Sequence, residues 1–201
     1  MTRVKICGVK TVEDALFCVK AGADAIGLVF AKSPRQVSLD TARRITDALP
    51  PFISRIGVFV DTNRDEVERI ARFCGLTTLQ FHGSEDAGYC SSFAIPVLKA
   101  VQVRSAVDLE GLSEFPAAAF VLDAYHPQIA GGTGRTFDWT LVRTQASRPF
   151  VLAGGLTADN VTEAVGLVRP YAVDVSSGVE TDGKKDRKKI SAFIQAVRRC
   201  A

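Results

Sequence analysis

The sequence lacks the cysteine spacings that mark metal sites and disulfide frameworks. Its five cysteines are odd in number and lie far apart, and no Cys-x-x-Cys pair occurs. We therefore expect no metal site and no disulfide framework, and we expect the chain to work in a reducing cytoplasm.

Long apolar runs and a dominant charge are missing as well. No stretch approaches the roughly 18 consecutive apolar residues that span a bilayer, and no apolar leader follows Met1. We expect neither a signal peptide nor a membrane partner. The net charge is only +3, and no basic stripe is interleaved with aromatic residues. This pattern argues against a nucleic-acid partner.

What the sequence does contain is a regular alternation of short apolar runs with amphipathic stretches. Hydrophobic residues make up 47% of the chain and charged residues 23%, as in a globular protein. Near-continuous apolar runs are typical of parallel strands that are covered by helices. The predicted strands span residues 4–6, 25–30, 56–60, 78–81, 97–100, 118–122, 150–153 and 172–175.

Helical patterns lie between these strands, although residues 84–92 and 104–112 are short and poorly periodic. The clearest helices are predicted at residues 12–21, 40–49, 64–74, 159–167 and 190–199. Eight strand–helix units of about 25 residues each are just enough for a closed barrel. We predict an α/β fold, a single (β/α)8 TIM barrel of minimal length over residues 1–201. A doubly wound open sheet is the alternative.

The active sites of such barrels lie at the carboxyl ends of the strands. In this sequence, polar or small residues are concentrated at those positions, whereas the strand bodies are apolar. They are Cys7, Arg35, Asp61, His82, Asp123, Gly154, Gly155, Asp174, Ser176, Ser177 and Gly178. Their concentration is more specific than any one of them.

Two small-residue turns predict a phosphate site. Gly154 and Gly155 end the seventh strand and precede a helix that we expect to begin near Thr157, while residues 176–178 end the eighth strand. Glycine lets the backbone approach an anion closely, and exposed amides at a helix start point toward it. The alternative is that the paired glycines form only a tight turn.

An acid and a base can be sought among the same residues. Asp123 ends an apolar run, and burial disfavours the charged form of a carboxyl group, so it is a candidate general acid. Cys7 is a candidate base if its pKa is lowered or a positive charge lies nearby. The alternatives are a structural aspartate that caps the next loop and a small buried thiol.

Other polar residues admit two interpretations each. Arg35 follows Pro34 and could bind a carboxylate with its guanidinium, or it could be a solvated surface residue. His82 could contact a ligand or be a loop residue, and Asp174 could bind a substrate hydroxyl or form a structural ion pair. We interpret the basic stretch 184–189 as a solvated face.

A lid is predicted after the sixth strand. Gly132, Thr133 and Gly134 lie in a run too glycine-rich for rigid packing, so this run could close over a substrate and exclude water.

These residues, in this order, resemble the phosphoribosylanthranilate isomerase family of tryptophan biosynthesis. The similarity spans the chain and is carried by Lys5-Ile6-Cys7-Gly8, Gln80-Phe81-His82-Gly83, Leu122-Asp123, the stretch 131–139, Leu152-Ala153-Gly154-Gly155-Leu156 and Asp174-Val175-Ser176-Ser177-Gly178-Val179-Glu180. Cys7 together with the stretch 131–139 is the discriminating combination. Asp61 departs from the pattern, because the family more often has asparagine there.

The resemblance implies an Amadori rearrangement of N-(5-phosphoribosyl)anthranilate to the 1-deoxyribulose 5-phosphate form. The family's general acid falls on Asp123, its general base on Cys7, and the arginine that contacts the anthranilate carboxylate on Arg35. The substrate is a small phosphorylated molecule, no cofactor is implied, and the chain could be a monomer or a homodimer.

Two rival functions remain open at this stage. A sugar-phosphate isomerase of the histidine pathway would share the phosphate turns, but it usually has aspartate where this chain has Cys7. A non-catalytic phosphate-binding barrel would keep Gly154, Gly155, Ser176 and Ser177 and would need neither Cys7 nor Asp123 beside the ligand.

Overall fold

The fold is that of a computed structural model, which describes residues 1–124, 139–142 and 149–200. Eight parallel strands form a closed barrel in sequence order, and β1 pairs with β8 as well as with β2. The barrel strands are β1 (Arg3–Cys7), β2 (Ala25–Val29), β3 (Ser54–Phe59), β4 (Thr78–Phe81), β5 (Val97–Val103), β6 (Ala119–Ala124), β7 (Phe150–Leu152) and β8 (Ala172–Val175). This closure confirms the predicted barrel and excludes the open sheet.

Helices of unequal length cover the barrel. They are α1 (Val12–Ala21), α2 (Leu39–Ala48), α3 (Arg64–Cys74), α4 (Ala87–Ser91), α5 (Val161–Val168) and α6 (Arg187–Arg198). Short 3₁₀ helices span Ala106–Leu109, Trp139–Leu141 and Ser177–Val179, and a two-stranded hairpin pairs β9 (Glu180–Thr181) with β10 (Lys184–Lys185). The poorly periodic fourth and fifth units correspond to the five-residue α4 and to a 3₁₀ helix.

Helix starts follow local capping chemistry. The Thr11 hydroxyl accepts a hydrogen bond from the Asp14 amide at 3.1 Å and so caps the start of α1. Asp186 accepts hydrogen bonds from the amides of Lys188 and Lys189. For this reason α6 begins at Arg187, three residues before the predicted start.

The core has two layers because strand side chains alternate in direction. One set of side chains packs between strands and helices and includes Ile6, Leu28, Phe81, Leu152 and Phe193. The other set fills the barrel interior with small residues. That inner cluster consists of Leu98, Ala100, Val121, Val151, Ala153 and Ala172. Polar residues two positions further along these strands therefore point to the mouth of the barrel.

Candidate active site

A cavity of about 530 Å³ opens at the carboxyl ends of the strands. Ten predicted site residues line it. They are Cys7, Arg35, His82, Asp123, Gly154, Gly155, Asp174, Ser176, Ser177 and Gly178. The predicted lid residues Gly132, Thr133 and Gly134 lie outside the described residues. Phe30 and Phe59 also line the cavity, with their rings stacked at a centroid distance of 5.1 Å.

Cys7 ends β1 in a tight space against β2. A Cβ atom at Gly27, its register partner, would lie 2.8 Å from the sulfur. Burial raises the pKa of the Cys7 thiol, while the ammonium groups of Lys5 and Lys185 act in the opposite direction. The positive charges expected beside a base are therefore present, but the pKa itself lies above its ordinary value.

Asp174 on β8 forms a buried ion pair with Lys5, which is one of the two interpretations that the sequence allowed. Its Oδ2 lies 2.5 Å from Nζ of Lys5, and both side chains are at most 8% exposed. Its other oxygen, Oδ1, is buried and has no hydrogen-bond partner among residues 1–124, 139–142 and 149–200. One carboxylate oxygen thus holds the lysine, and the other is available to a ligand hydroxyl.

Asp123 and His82 form the opposite flank of the cavity. Asp123 is buried at the end of β6, and its Oδ2 lies 3.3 Å from Nε2 of His82, although the two groups are not aligned as a hydrogen bond. On the other side of the imidazole, Nδ1 lies 3.5 Å from Nε2 of Gln80. Gln80 lines the cavity too and was missed in the sequence.

A buried ion pair fixes the loop that carries His82. Glu85 accepts hydrogen bonds from the amides of Asp61 at 2.8 Å and Gly83 at 2.9 Å, and its carboxylate lies 3.0 Å from Lys99. Lys99 also donates to the Gly83 carbonyl at 2.6 Å. This pair was not predicted from the sequence. The available signal was a lysine inside the apolar run of β5.

The two predicted phosphate turns lie side by side. Gly154 and Gly155 have φ angles of 80° and 65°, in the left-handed region that favours glycine. A Cβ atom at Gly178 would lie 1.9 Å from the carbonyl oxygen of Leu156, so only glycine allows this approach. The amides of Gly154, Gly155 and Gly178 donate to no other group among the described residues. These free amides form a cradle for an anion.

The helix after the first turn starts later than predicted. The helix α5 begins at Val161, not near Thr157. The Asn160 side chain bridges the intervening turn, because it accepts from the Thr157 amide at 2.8 Å and donates to the Gly155 carbonyl at 3.0 Å. This side chain stabilises the turn without extending the helix.

Arg35 does not point freely at the cavity. Its Nε and Nη2 donate to the two carboxylate oxygens of Glu180 at 2.9 and 2.7 Å. Glu180 also accepts a hydrogen bond from Lys185 at 2.8 Å, and Lys185 donates to the Ser176 carbonyl at 3.0 Å. The interpretation of residues 184–189 as a solvated face is wrong for Lys185. Its side chain is only 3% exposed, because the β9–β10 hairpin folds it beneath Glu180.

Comparison with known proteins identifies the family. The sequence model of the N-(5′-phosphoribosyl)anthranilate isomerase family matches residues 4–196. The chain belongs to this isomerase family. The N-(5′-phosphoribosyl)anthranilate isomerase of Desulforamulus reducens is 50% identical over 199 residues, which cover 98% of this chain and 96% of that protein. The family predicted from the sequence is thereby confirmed.

Solved structures of the isomerase family have the same fold. The isomerase from Thermotoga maritima superposes with a TM-score of 0.92 at 44% identity and covers 99% of this chain and 100% of its own. Another isomerase, in complex with reduced 1-(o-carboxyphenylamino)-1-deoxyribulose 5-phosphate, has a TM-score of 0.88 at 43% identity and covers 99% and 100%. The match favours the isomerase over both rival functions.

Proposed function

We propose that this chain isomerises N-(5′-phosphoribosyl)anthranilate to 1-(o-carboxyphenylamino)-1-deoxyribulose 5-phosphate in tryptophan biosynthesis, with Asp123 as general acid and Cys7 as general base. The family membership supports the reaction. The observation that carries the assignment of roles is that both side chains line one cavity together with the two glycine turns. A phosphate held at those turns would place the sugar between the thiol and the carboxyl group.

The chemistry needs one proton donor and one acceptor. Protonation of the ring oxygen by Asp123 lets the bond between C1 and that oxygen break, and the nitrogen lone pair forms an iminium at C1. Cys7, as thiolate, removes the proton at C2. The electrons of that C–H bond form the C1–C2 double bond, and those of the iminium return to nitrogen. The resulting enol becomes the ketone by proton transfer, and the net reaction is an isomerisation.

The ends of the substrate would be held at two separate places. The free amides at Gly154, Gly155 and Gly178 suit the phosphate. Arg35 suits the anthranilate carboxylate, because Glu180 holds Nε and Nη2 while Nη1 donates to no residue in the part of the chain that the structure describes. Glu180 thus fixes the guanidinium plane and leaves one donor group for the substrate. Holding both ends orients the reacting carbons and supplies part of the rate.

Replacing the acid tests this assignment. Asp123→Asn should lower turnover by roughly 10²–10⁴-fold, the usual contribution of a general acid. It should leave the affinity for the reduced product analogue nearly unchanged, which calorimetry can measure. The matched control is Asp65→Asn, since the Asp65 side chain is 91% exposed. Undiminished turnover in Asp123→Asn would remove the carboxyl group from the reaction.

The cellular location, the absence of a nucleic-acid partner and the oligomeric state remain predictions. No described helix is long and apolar enough to cross a membrane. A cytoplasmic location and the absence of a nucleic-acid partner are our inferences from the sequence. Light scattering at several protein concentrations would decide between a monomer and a homodimer.

A further inference from the structure

Lys5 and Cys7 lie side by side on the inner face of β1. They are two residues apart, and strand side chains alternate, so both point into the barrel. A Cβ atom at Gly27 on β2 would lie 2.8 Å from the Cys7 sulfur and 3.1 Å from Cε of Lys5. The missing side chain at Gly27 therefore makes the room in which the lysine and the thiol meet.

The stability of the fold alone does not account for the burial of the Lys5 side chain. Its side chain is 2% exposed, and the other side chains of the inner cluster are alanine, valine and leucine. Buried ion pairs are often no more stabilising than apolar residues of the same volume, because both charges lose their hydration. An apolar side chain at position 5 would fill this space without that cost.

We propose that Lys5 is a positioning residue for the isomerisation: its ammonium group, fixed by Asp174, stabilises the thiolate of Cys7 when that thiol acts as the base. The proposal rests on the proposed function of Cys7. It also accounts for the position of the ion pair. Asp174 on β8 binds the Lys5 ammonium group, and the Cys7 thiol lies on the same face of β1 as Lys5.

The other charges around the thiol do not replace Lys5. Among the cations that act on Cys7, Lys5 lowers the pKa of the thiol most and Lys185 less, while Arg35 and Lys185 both donate to Glu180. Asp174 opposes Lys5, because its negative charge disfavours the thiolate. Lys5 and Asp174 should therefore shift the pKa of the Cys7 thiol in opposite directions.

This opposition gives a sharp test. The rate at which iodoacetamide alkylates Cys7 is measured against pH in the full chain, with peptide-resolved mass spectrometry. We expect Lys5→Met to raise the pKa of Cys7 by about one unit or more, so that alkylation at pH 8 slows roughly tenfold. Asp174→Asn should lower that pKa and speed alkylation. A packing defect would change both variants in the same direction.

Lys99→Met is the matched control. Lys99 is also a buried lysine paired with a carboxylate, but that carboxylate is Glu85, in the loop after β4. This variant should lose stability and leave the alkylation curve of Cys7 unchanged. Cys200, near the end of α6 and away from the cavity lining, serves as the internal reference in every sample. Should Lys5→Met fail to fold, Asp174→Asn and the charge-retaining Lys5→Arg decide the question.

Failure of this proposal differs from failure of the proposed function. An unshifted pKa of Cys7 in Lys5→Met, or a raised one in Asp174→Asn, would overturn the role of Lys5 and leave Cys7 as the base. Normal turnover in Cys7→Ser would instead remove the base assignment, whatever the alkylation curves show.

Discussion

The two flanks of the cavity differ in the charges that surround their central residue. Lys5, Lys185 and Arg35 all act on Cys7. Asp123, by contrast, has His82 as its one charged or polar partner among the described residues. Cations favour both a thiolate and a carboxylate. They therefore help a thiol that has to lose its proton, and they would hinder a carboxyl group that has to keep one.

The largest expected effects come from replacing Cys7 or Asp123, the central residue of each flank. We expect Cys7→Ser to lower turnover by roughly 10²–10⁴-fold, as Asp123→Asn does. The residual rates of the two variants should then differ in their dependence on pH. In Asp123→Asn only the thiol remains, and since burial raises its pKa, the rate should rise up to about tenfold per pH unit above pH 7.

Cys7→Ser lacks the thiol, so its residual rate should not show this rise with pH. Steady-state assays between about pH 6 and about 9 would measure the pH dependence of both residual rates. Cys200→Ser should keep the normal rate and profile. The same rise of the rate with pH in Cys7→Ser would contradict the assignment of Cys7 as the base.

The next largest effect concerns the carboxylate between the cations. Burial alone would raise the pKa of Glu180, but hydrogen bonds from Arg35 and Lys185 outweigh it and lower that pKa to about 2. A carboxyl group with a depressed pKa stabilises the fold above its unfolded pKa, and this stabilisation is lost as the pH falls toward its folded value. Glu180→Gln should therefore reduce the free energy of unfolding at pH 7 by about 2–3 kcal/mol.

The deficit of Glu180→Gln should shrink as the pH falls from about 4.5 toward 2, where the wild-type carboxylate also takes up its proton. Urea unfolding at several pH values would measure it. Glu114→Gln, at an exposed turn, should show no such deficit. A deficit that stays constant down to pH 2 would mean that the charge of Glu180 is irrelevant.

A smaller effect is expected at the substrate carboxylate. Arg35→Met should raise the Michaelis constant roughly tenfold and lower turnover less, because it removes a charge-assisted contact distant from the reacting carbons. Steady-state kinetics would separate the two constants, with the exposed Arg44→Met on α2 as control. An unaltered Michaelis constant would count against a contact between Arg35 and the substrate.

The smallest effect should be at Asp61, where the chain departs from its family. Its φ angle is 46°, and its Oδ1 accepts hydrogen bonds from the Ser84 amide at 2.7 Å and hydroxyl at 2.8 Å. Asparagine tolerates this backbone and offers a similar oxygen. Asp61→Asn should keep turnover within about twofold and stability within about 1 kcal/mol. Asp61→Ala should lower the midpoint of thermal unfolding more than Asp61→Asn, because alanine lacks the oxygen that accepts the hydrogen bonds from Ser84.

The fold could be predicted because its signal is local. Apolar runs of three to six residues and amphipathic helical stretches repeat along the chain, and each predicted strand overlaps an observed one. The strand β5 continues to Val103, beyond the predicted end at Ala100. Its last residues pair with β6. Partners from another strand are invisible to a pattern read along one segment.

The site could be predicted only in part. Cys7, Asp123 and the glycine turns stand at strand ends, where position alone indicates a role. Lys5, Gln80 and Lys99 lie within strands, and their importance depends on partners far away in sequence. Lys185 was misinterpreted for the same reason, since its carboxylate and carbonyl partners become neighbours only once the hairpin forms.

The pairing of β8 with β1 has a consequence for the newborn chain. Cys7 precedes Asp174 and Lys185 by well over a hundred residues, so it is synthesised long before them. Until β8 pairs with β1, Lys5 lacks Asp174 as its partner. The closing step that completes the barrel therefore also completes the charged surroundings of the thiol.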